Sequence, residues 1–318
     1  MVHNPRISQG LRDDGRHHWS LVLAGGDGTR LQELTALISG RPIPKQYCQI
    51  IGGKSLLEAT IERVAPLAGR ERSVAIINRN HVAMAEPQLA SLPTQNVIVQ
   101  PRNCDTGPGL LLSLLMLQRR DPHATVAVFP SDHYIADADA FRSCVERARI
   151  FVAQQPQALV LLGIEPDRPE AGYGYIEPGR PLTAAGSARA YTVAAFREKP
   201  SVPQARSMIA RGGLWNSFVM VFRVARVLEL LAQVRPADFV AMQALTNQTE
   251  LDEAYARLTP WNFSSGFLAR IPEHLAVVTA SDTGWSDWGT RESIERTFAQ
   301  LQLTPPWHRV APRVGIAA

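Results

Sequence analysis

The chain has 318 residues, of which 45% are hydrophobic and 19% charged, with 33 Lys and Arg against 29 Asp and Glu and a formal net charge of +4. This balance is typical of a globular protein and excludes a disordered, collagen-like or disulfide-dense chain, and the length suits one large domain or two small ones. The basic residues are scattered rather than grouped in runs of like charge, so we expect no nucleic-acid partner.

We expect a cytoplasmic protein without a membrane segment. Residues 1–18 are polar and charged and lack the apolar stretch of a signal peptide, and no later segment is apolar for long enough to cross a bilayer. The three cysteines, Cys48, Cys104 and Cys144, fit neither a disulfide framework nor a zinc site by their spacing. They are therefore predicted to be reduced thiols.

Short apolar runs alternate with helical patterns in the first half of the chain. The runs predict strands over residues 21–24, 73–77, 96–99, 125–129 and 158–163, and the helical patterns cover 55–64, 106–118 and 138–153. This alternation predicts an α/β fold with a doubly wound, mostly parallel Rossmann-like sheet.

The pattern changes after about residue 170. A glycine and tyrosine turn at 172–174 precedes predicted strands at 191–196 and 215–222, which indicates a partly antiparallel lobe over the sheet edge. No linker separates the halves, so we expect one domain over 19–300, with halves of about 19–165 and 166–300. Flexible tails are predicted at 1–18 and 301–318.

A glycine-rich turn follows the first predicted strand, where residues 24–30 read Ala-Gly-Gly-Asp-Gly-Thr-Arg. Gly25, Gly26 and Gly28 allow backbone N–H groups to approach a phosphate or a base, and Arg30 adds a positive charge. A dinucleotide fingerprint would need glycine at position 31 and a P-loop would need it at position 48, where leucine and cysteine stand. A plain structural turn remains the alternative.

Lysine is rare in this chain, with only Lys45, Lys54 and Lys199 among the 33 basic residues. Each lysine therefore indicates a position that favours a compact ammonium over a planar guanidinium. Lys45 follows the glycine-rich turn in the order Pro-Lys-Gln, and Lys199 follows a glutamate. Lys54 is assigned no chemistry.

Polar residues also follow later strands of the predicted parallel sheet, at the edge where such sheets bind ligands. Gln100 and Asn103 offer amide groups that suit a nucleobase, and Thr106 begins the next helix. Asp132 follows the strand at 125–129 and is typical of a Mg²⁺ ligand, because Mg²⁺ binds few carboxylates together with waters and phosphates.

The second half contributes its own candidate residues. Gly174 lets the backbone approach a sugar, although a hairpin turn explains it equally well. Glu198 and Lys199 suit sugar hydroxyls and a phosphate, or form a solvated ion pair, and Asn216 opens a strand. Asp287 lies between two tryptophans and is the candidate for a second metal ligand.

In this order, the motifs resemble the sugar-phosphate nucleotidyltransferases, and most closely their mannose-1-phosphate guanylyltransferase branch, over residues 21 to about 292. The resemblance implies a fold of the nucleotide-diphospho-sugar transferase type, with a nucleotide-binding first half and a sugar-phosphate-binding second half. It implies formation of a nucleotide sugar from GTP and a hexose 1-phosphate, with mannose 1-phosphate favoured and pyrophosphate released. Mg²⁺ is the implied cofactor.

The resemblance also implies a role for each motif residue. The implied catalytic residues are Arg30, Lys45 and Asp132, and the implied metal ligands are Asp132 and Asp287. The implied nucleotide-binding residues are Ala24, Gly25, Gly26, Gly28, Thr29, Gln100, Asn103 and Thr106. The implied sugar-phosphate-binding residues are Gly174, Glu198, Lys199 and Asn216.

Four departures from the family pattern occur, at residues 32–35, at Cys104, at 218–219 and near 262–270. Phe218 and Val219 stand where a glycine and a methionine are expected, and Ser264, Ser265 and Gly266 stand where acidic residues are frequent. Another nucleoside triphosphate or hexose 1-phosphate is therefore an alternative substrate, and a non-catalytic regulatory relative that binds a nucleotide sugar is a second alternative. We expect a monomer or a homodimer that works on small molecules, without nucleic acid or membrane partners.

Overall fold

A nine-stranded β-sheet runs through the computed structural model, which describes residues 15–182 and 190–308. The strands are β1 (His18–Ala24), β2 (Ser73–Asn78), β3 (Val97–Gln100), β4 (Thr125–Pro130), β5 (Leu159–Ile164), β6 (Gly174–Leu182), β7 (Ala190–Glu198), β8 (Leu214–Arg223) and β9 (Leu275–Thr279). Their order across the sheet is β3-β2-β1-β4-β8-β5-β9-β7-β6, and β8 also pairs with β6.

The first four strands form a parallel group, as their sequences predict. β1 pairs in parallel with β2 and β4, and β2 pairs in parallel with β3. Every residue of β2 is buried, which explains its continuous apolar and β-branched sequence. The five strands predicted in this half are present, with ends shifted by three residues or fewer.

The complete sheet is mixed, so the prediction of a mostly parallel sheet is wrong. β8 lies antiparallel between β4 and β5, and β6 and β7 form an antiparallel pair, whereas β5 and β9 are parallel. The antiparallel pairing of β6, β7 and β8 confirms the partly antiparallel character predicted after residue 170. The sequence did not reveal that β8 lies inside the main sheet, because the apolar period of a strand does not identify its neighbours. β6 and β9 are further strands that the sequence did not predict; β6 contains Pro178, Gly179 and Pro181, which resemble turn signals.

Helices occupy the connections between the strands. Those in the described ranges are α1 (Gln32–Ser39), α2 (Leu56–Ala68), α3 (Val82–Ala85), α4 (Thr106–Arg120), α5 (Ala138–Gln154), α6 (Val202–Ala210), α7 (Val224–Val234), α8 (Pro236–Gln243), α9 (Gln248–Arg257), α10 (Phe263–Gly266) and α11 (Arg291–Gln300). The three predicted helices are confirmed as α2, α4 and α5. Side chains of Ser55 and Asp137 accept backbone N–H bonds and thereby cap α2 and α5.

Two apolar cores lie on opposite faces of the sheet. Along β1, Leu21 belongs to one core and Val22 to the other, because successive side chains alternate across a strand. Leu57 of α2 and Val145 of α5 pack into the core of Val22, and α4 and α7 fill the other. Helices therefore cover both faces of the sheet, and the predicted α/β class is confirmed.

The ends of the described ranges are packed, unlike the loose tails predicted there. His18 already belongs to β1, and the ring of His17 hydrogen-bonds Asp121 at 2.8 Å. Near the other end, Trp307 is buried and packs against Phe298 with ring centroids 5.5 Å apart. The rest of both predicted tails, 1–14 and 309–318, lies outside the described residues.

Two further properties concern the cysteines and the length of the helices. Cys48, Cys104 and Cys144 are buried and form no disulfide. Among the described residues, no helix has the length and apolar character needed to cross a bilayer.

The start of α4 depends on a glycine that packs against an aromatic ring. A Cβ on Gly107 would lie 2.3 Å from the ring of Trp261, which is itself buried. We expect Gly107→Ala to lower the free energy of unfolding by about 1–3 kcal/mol, because ring or helix must shift. Urea denaturation measures this change. The control, Gly26→Ala, adds its methyl where nothing lies within 4 Å, so equal losses in the two variants would contradict the prediction.

Candidate active site

A cleft of about 610 Å³ opens at the carboxyl ends of β1, β3 and β4 and faces the antiparallel strands β6, β7 and β8. Most residues predicted for the site line it. These are Gly25, Gly26, Arg30, Gln100, Asn103, Thr106, Asp132, Gly174, Glu198, Lys199, Asn216 and Asp287. Four predicted residues do not line it, namely Ala24, Gly28, Thr29 and Lys45.

The glycine-rich turn is held from behind by the segment after Pro44. The amide of Gln46 donates to the carbonyl oxygens of Ala24 at 3.2 Å and Gly26 at 2.6 Å, and the hydroxyl of Tyr47 donates to Ala24 at 2.9 Å. Gly28 has φ +59°, and a Cβ there would lie 2.9 Å from the backbone of Pro44. Gly28 therefore serves close packing, while Gly25 and Gly26 face the cleft.

Lys45 lies beneath the cleft floor rather than in the cleft. It is 5% exposed, and its Nζ donates to the carbonyl oxygens of Asp287 at 2.7 Å and Trp288 at 2.8 Å. The same Nζ lies 3.3 Å from a carboxylate oxygen of Asp132. A compact ammonium with three donors suits three converging oxygens, which explains a lysine at this position.

This lysine links the carboxylate of Asp132 to the backbone of Asp287, the two residues predicted as metal ligands. Asp132 follows β4, its side chain is 41% exposed, and it lines the cleft. Burial alone would raise its pKa, but Lys45 and His133 outweigh burial and hold the pKa below its usual value. Asp287 accepts hydrogen bonds at Oδ1 from the Tyr173 hydroxyl and from a backbone N–H.

The donor set at this place fits Mg²⁺. Asp132 and Asp287 both line the cleft, and the described residues contain no group of three acidic, histidine or cysteine side chains placed to hold a metal. Mg²⁺ is usually bound through one or two carboxylates, waters and substrate phosphates, whereas zinc requires three or four protein ligands.

The opposite wall carries Gly174 at the start of β6, Glu198 at the end of β7 and Asn216 in β8, two positions after its start. A Cβ on Gly174 would lie 2.7 Å from Oε2 of Glu198, so glycine is needed for the carboxylate to occupy its place. Burial raises the pKa of Glu198; the charge of Lys199 and a hydrogen bond from Ser264 partly oppose this effect, and Asp105 adds to it.

Two glycines make room for Gln100 at the nucleotide side of the cleft. A Cβ on Gly25 would lie 2.5 Å from Nε2 of Gln100, and one on Gly109 would lie 2.9 Å from its Oε1. Asn103, by contrast, is engaged within the protein, because it donates to Asp27 and accepts from the N–H of Asp105, each at 2.9 Å. Gln100 itself is 3% exposed and its Oε1 accepts from the Tyr255 hydroxyl at 3.4 Å, which leaves its Nε2, beside Gly25, as the group nearest to the glycine-rich turn.

Several cleft residues were not predicted as site residues. Asp27, Tyr173, Phe218, Asn262, Ser264 and Trp285 line the cleft. Asp27 could have been predicted from the sequence, since it stands inside the glycine-rich turn. Asn262 and Ser264 come from a segment far along the chain, where they cap and form α10. Ser264 departs from the family pattern, but no role in the site was predicted for it.

Comparison with known proteins agrees with this geometry. The sequence model of the nucleotidyl transferase family matches residues 19–303. A mannose-1-phosphate guanylyltransferase of Escherichia coli K12 is 34% identical over 87% of this chain and 59% of its own length. The xanthan biosynthesis protein XanB of Xanthomonas campestris strain B100 is also 34% identical, over 86% of this chain and 58% of its own. The chain thus spans less than two thirds of the length of these curated relatives.

A solved structure shows the same fold. The crystal structure described as a mannose-1-phosphate geranyltransferase from Thermus thermophilus superposes with a TM-score of 0.76 at 31% identity, covering 89% of this chain and 80% of that one. The family match, the 34% identity and the cleft at the strand ends agree with one another. The chain belongs to the nucleotidyl transferase family.

Proposed function

We propose that the protein transfers a guanylyl group from GTP to mannose 1-phosphate, giving GDP-mannose and pyrophosphate. The observation that carries this proposal is the pair of aspartates, Asp132 and Asp287, in a cleft between the glycine-rich turn and the wall that carries Gly174, Glu198 and Asn216. Such a cleft accommodates two phosphorylated substrates side by side. The names of the relatives supply the base and the sugar.

In the proposed reaction, a phosphate oxygen of the sugar phosphate attacks the α-phosphorus of GTP. A new P–O bond forms as the bond to the β-phosphate oxygen breaks, and pyrophosphate leaves with the electron pair. Because the attacking phosphate is already anionic at neutral pH, the protein needs no general base. Its task is to hold two anions together in line, which is a matter of positioning and charge.

The residues of the cleft suit this task. Arg30 and Lys199 line opposite parts of it and are exposed cations, available to the triphosphate and the sugar phosphate. Asp132 and Asp287 would hold Mg²⁺, which when bound neutralises phosphate charge. Lys45 holds the segments of both carboxylates in place and so acts as a positioning residue.

The sugar hydroxyls are assigned to the opposite wall. Glu198 offers carboxylate oxygens as acceptors, and Asn216 offers an amide whose Oδ1 already accepts from the backbone N–H of Phe218 at 3.1 Å. That bond leaves the NH₂ group of Asn216 as a donor for the ligand. Gly174 keeps the backbone close to both.

A second candidate is a non-catalytic relative that binds a nucleotide sugar. The altered segment at Ser264 favours it, because that residue lines the cleft.

One assay separates the two functions. Pyrophosphate release is measured for GTP, ATP, CTP, UTP and dTTP, each with mannose, glucose and related 1-phosphates. We expect the highest turnover with GTP and mannose 1-phosphate. Binding of GDP-mannose without pyrophosphate release from any pair would refute catalysis.

Asp132 and Lys45 are expected to differ in what their loss disturbs. Asp132→Asn should lower kcat by about 10²–10³-fold, as for loss of a charge-stabilising group, and should lower the melting temperature less than loss of Lys45 does, because asparagine keeps an oxygen atom for the Lys45 ammonium. Lys45→Met should lower both kcat and the melting temperature. It leaves buried carbonyl oxygens without a donor, and each such oxygen lowers the free energy of unfolding by about 1–3 kcal/mol. Steady-state kinetics and thermal unfolding measure the two effects. A Lys45→Met protein of full stability would contradict the buried contacts.

Glu198 should give the binding of the sugar phosphate a pH dependence. Its pKa is raised by burial, so it becomes protonated at a higher pH than an ordinary glutamate and loses an acceptor. We expect KM for the sugar phosphate to rise as pH falls through that raised pKa, and to level off above it. Glu198→Gln should have a KM about tenfold higher at neutral pH.

The same variant supplies the control. If KM still rises at low pH in Glu198→Gln, that rise is caused by protonation of the substrate phosphate. The difference between the two pH profiles is then caused by protonation of Glu198. Identical profile shapes for the two proteins would contradict the role of this carboxylate.

A further inference from the structure

The register of β8 breaks where it passes the cleft. Leu161 of β5 pairs with Met220, and Gly163 pairs with Asn216, so two steps along β5 correspond to four along β8. Three residues of β8, 217–219, thus stand opposite the single residue Leu162 of β5 and form a bulge with two extra residues. Bulges of this kind redirect side chains and are frequent beside active sites.

The bulge is held by specific hydrogen bonds. The hydroxyl of Ser217 donates to the carbonyl oxygen of Leu162 at 2.6 Å and accepts from the N–H of Val219 at 3.2 Å. The N–H of Phe218 donates to Oδ1 of Asn216 at 3.1 Å. The conformation is therefore fixed by its surroundings.

Phe218, at the centre of the bulge, has φ +58°. This left-handed conformation suits glycine and is unfavourable for a bulky aromatic residue. The side chain is partly buried: it packs against the edge of one apolar core and also lines the cleft. Its ring packs against Phe263 at a centroid distance of 6.4 Å.

Phe218 shares its part of the cleft with polar groups. Asn216 is two residues away, and Glu198 belongs to the same wall. Phe263, which supports the ring, is held by its own N–H, which donates to the hydroxyl of Thr106 at 2.8 Å. An apolar ring beside hydroxyl-binding groups restricts the size of a ligand and offers a surface to its C–H face.

We propose that Phe218 determines acceptor specificity by occupying part of the sugar subsite, so that hexose 1-phosphates with a bulky ring substituent are excluded. This inference rests on the proposed function, because that function assigns this wall to the sugar phosphate. The strained backbone supports it, since a conformation that glycine would adopt without strain is retained with a large side chain facing the ligand.

The experiment compares acceptors that differ only at C2. With GTP, kcat/KM is measured for mannose 1-phosphate and its 2-acetamido analogue, and for glucose 1-phosphate and N-acetylglucosamine 1-phosphate. In Phe218→Gly we expect the preference for the unsubstituted sugar to fall at least about tenfold, the scale of steric discrimination in an apolar pocket. Phe218→Tyr keeps the ring and should keep the preference within about threefold.

A control variant tests whether replacing a positive-φ residue by glycine changes the acceptor preference by itself. Gln302 also has a positive φ, +56°, and is exposed outside the cleft. Gln302→Gly should leave the preference unchanged. If Phe218→Gly fails to fold, Phe218→Leu tests the same point with a smaller side chain, and an intermediate preference is expected.

Two failures remain distinguishable. An unchanged preference in folded Phe218→Gly or Phe218→Leu would overturn the role of Phe218 while leaving the proposed function intact. Absence of pyrophosphate release by the unaltered protein with GTP and every hexose 1-phosphate would overturn the proposed function itself.

Discussion

The buried ammonium group of Lys45 holds the cleft together. Its three oxygen partners belong to Asp132, at the end of β4, and to Asp287 and Trp288, more than 150 residues further along the chain. An ammonium removed from water is costly unless oxygen atoms surround it. The chain meets this requirement by bringing the two acidic segments to the same place, and the geometry of the candidate metal site follows from it.

The segment after β9 is fixed on its other side by aromatic packing. Trp288 is fully buried, its ring stacks on Tyr134 with centroids 4.8 Å apart, and its indole N–H donates to Thr297. Its backbone has φ +48°, which is unfavourable for tryptophan and persists because these contacts determine it. Asp287 is thereby presented to the cleft from a rigid support, as a metal ligand requires.

Backbone strain is concentrated around the cleft. Asp105, Lys199, Phe218 and Trp288 have positive φ values, and each stands in or next to a segment that lines the cleft. Strained residues of this kind are retained where the surrounding structure fixes them and where a side chain must face a ligand. Asp282 and Gln302 also have positive φ values and do not line the cleft, so such strain is frequent at the site but is not confined to it.

The motifs that carry charge and glycine can be recognised from sequence because they are local. A glycine-rich turn after a buried strand, and a carboxylate after another, are expected at one sheet edge whatever the rest of the fold is. The helix at 138–153 and its buried stripe were likewise predictable, because helical periodicity and capping act within a few residues. These features account for the α/β class and for the glycine-rich turn and Asp132 in the cleft lining.

Contacts across long sequence separations follow a different rule. Three features depend on which segments meet after folding. They are the position of Lys45 beneath the cleft, the hydrogen bond from Asn103 to Asp27, and the antiparallel direction of β8. The apolar period and the composition of a strand indicate how much of it is buried, but they do not determine which strand lies beside it. The positive φ of Phe218 arises in the same way, from a register break between two strands that no local pattern encodes.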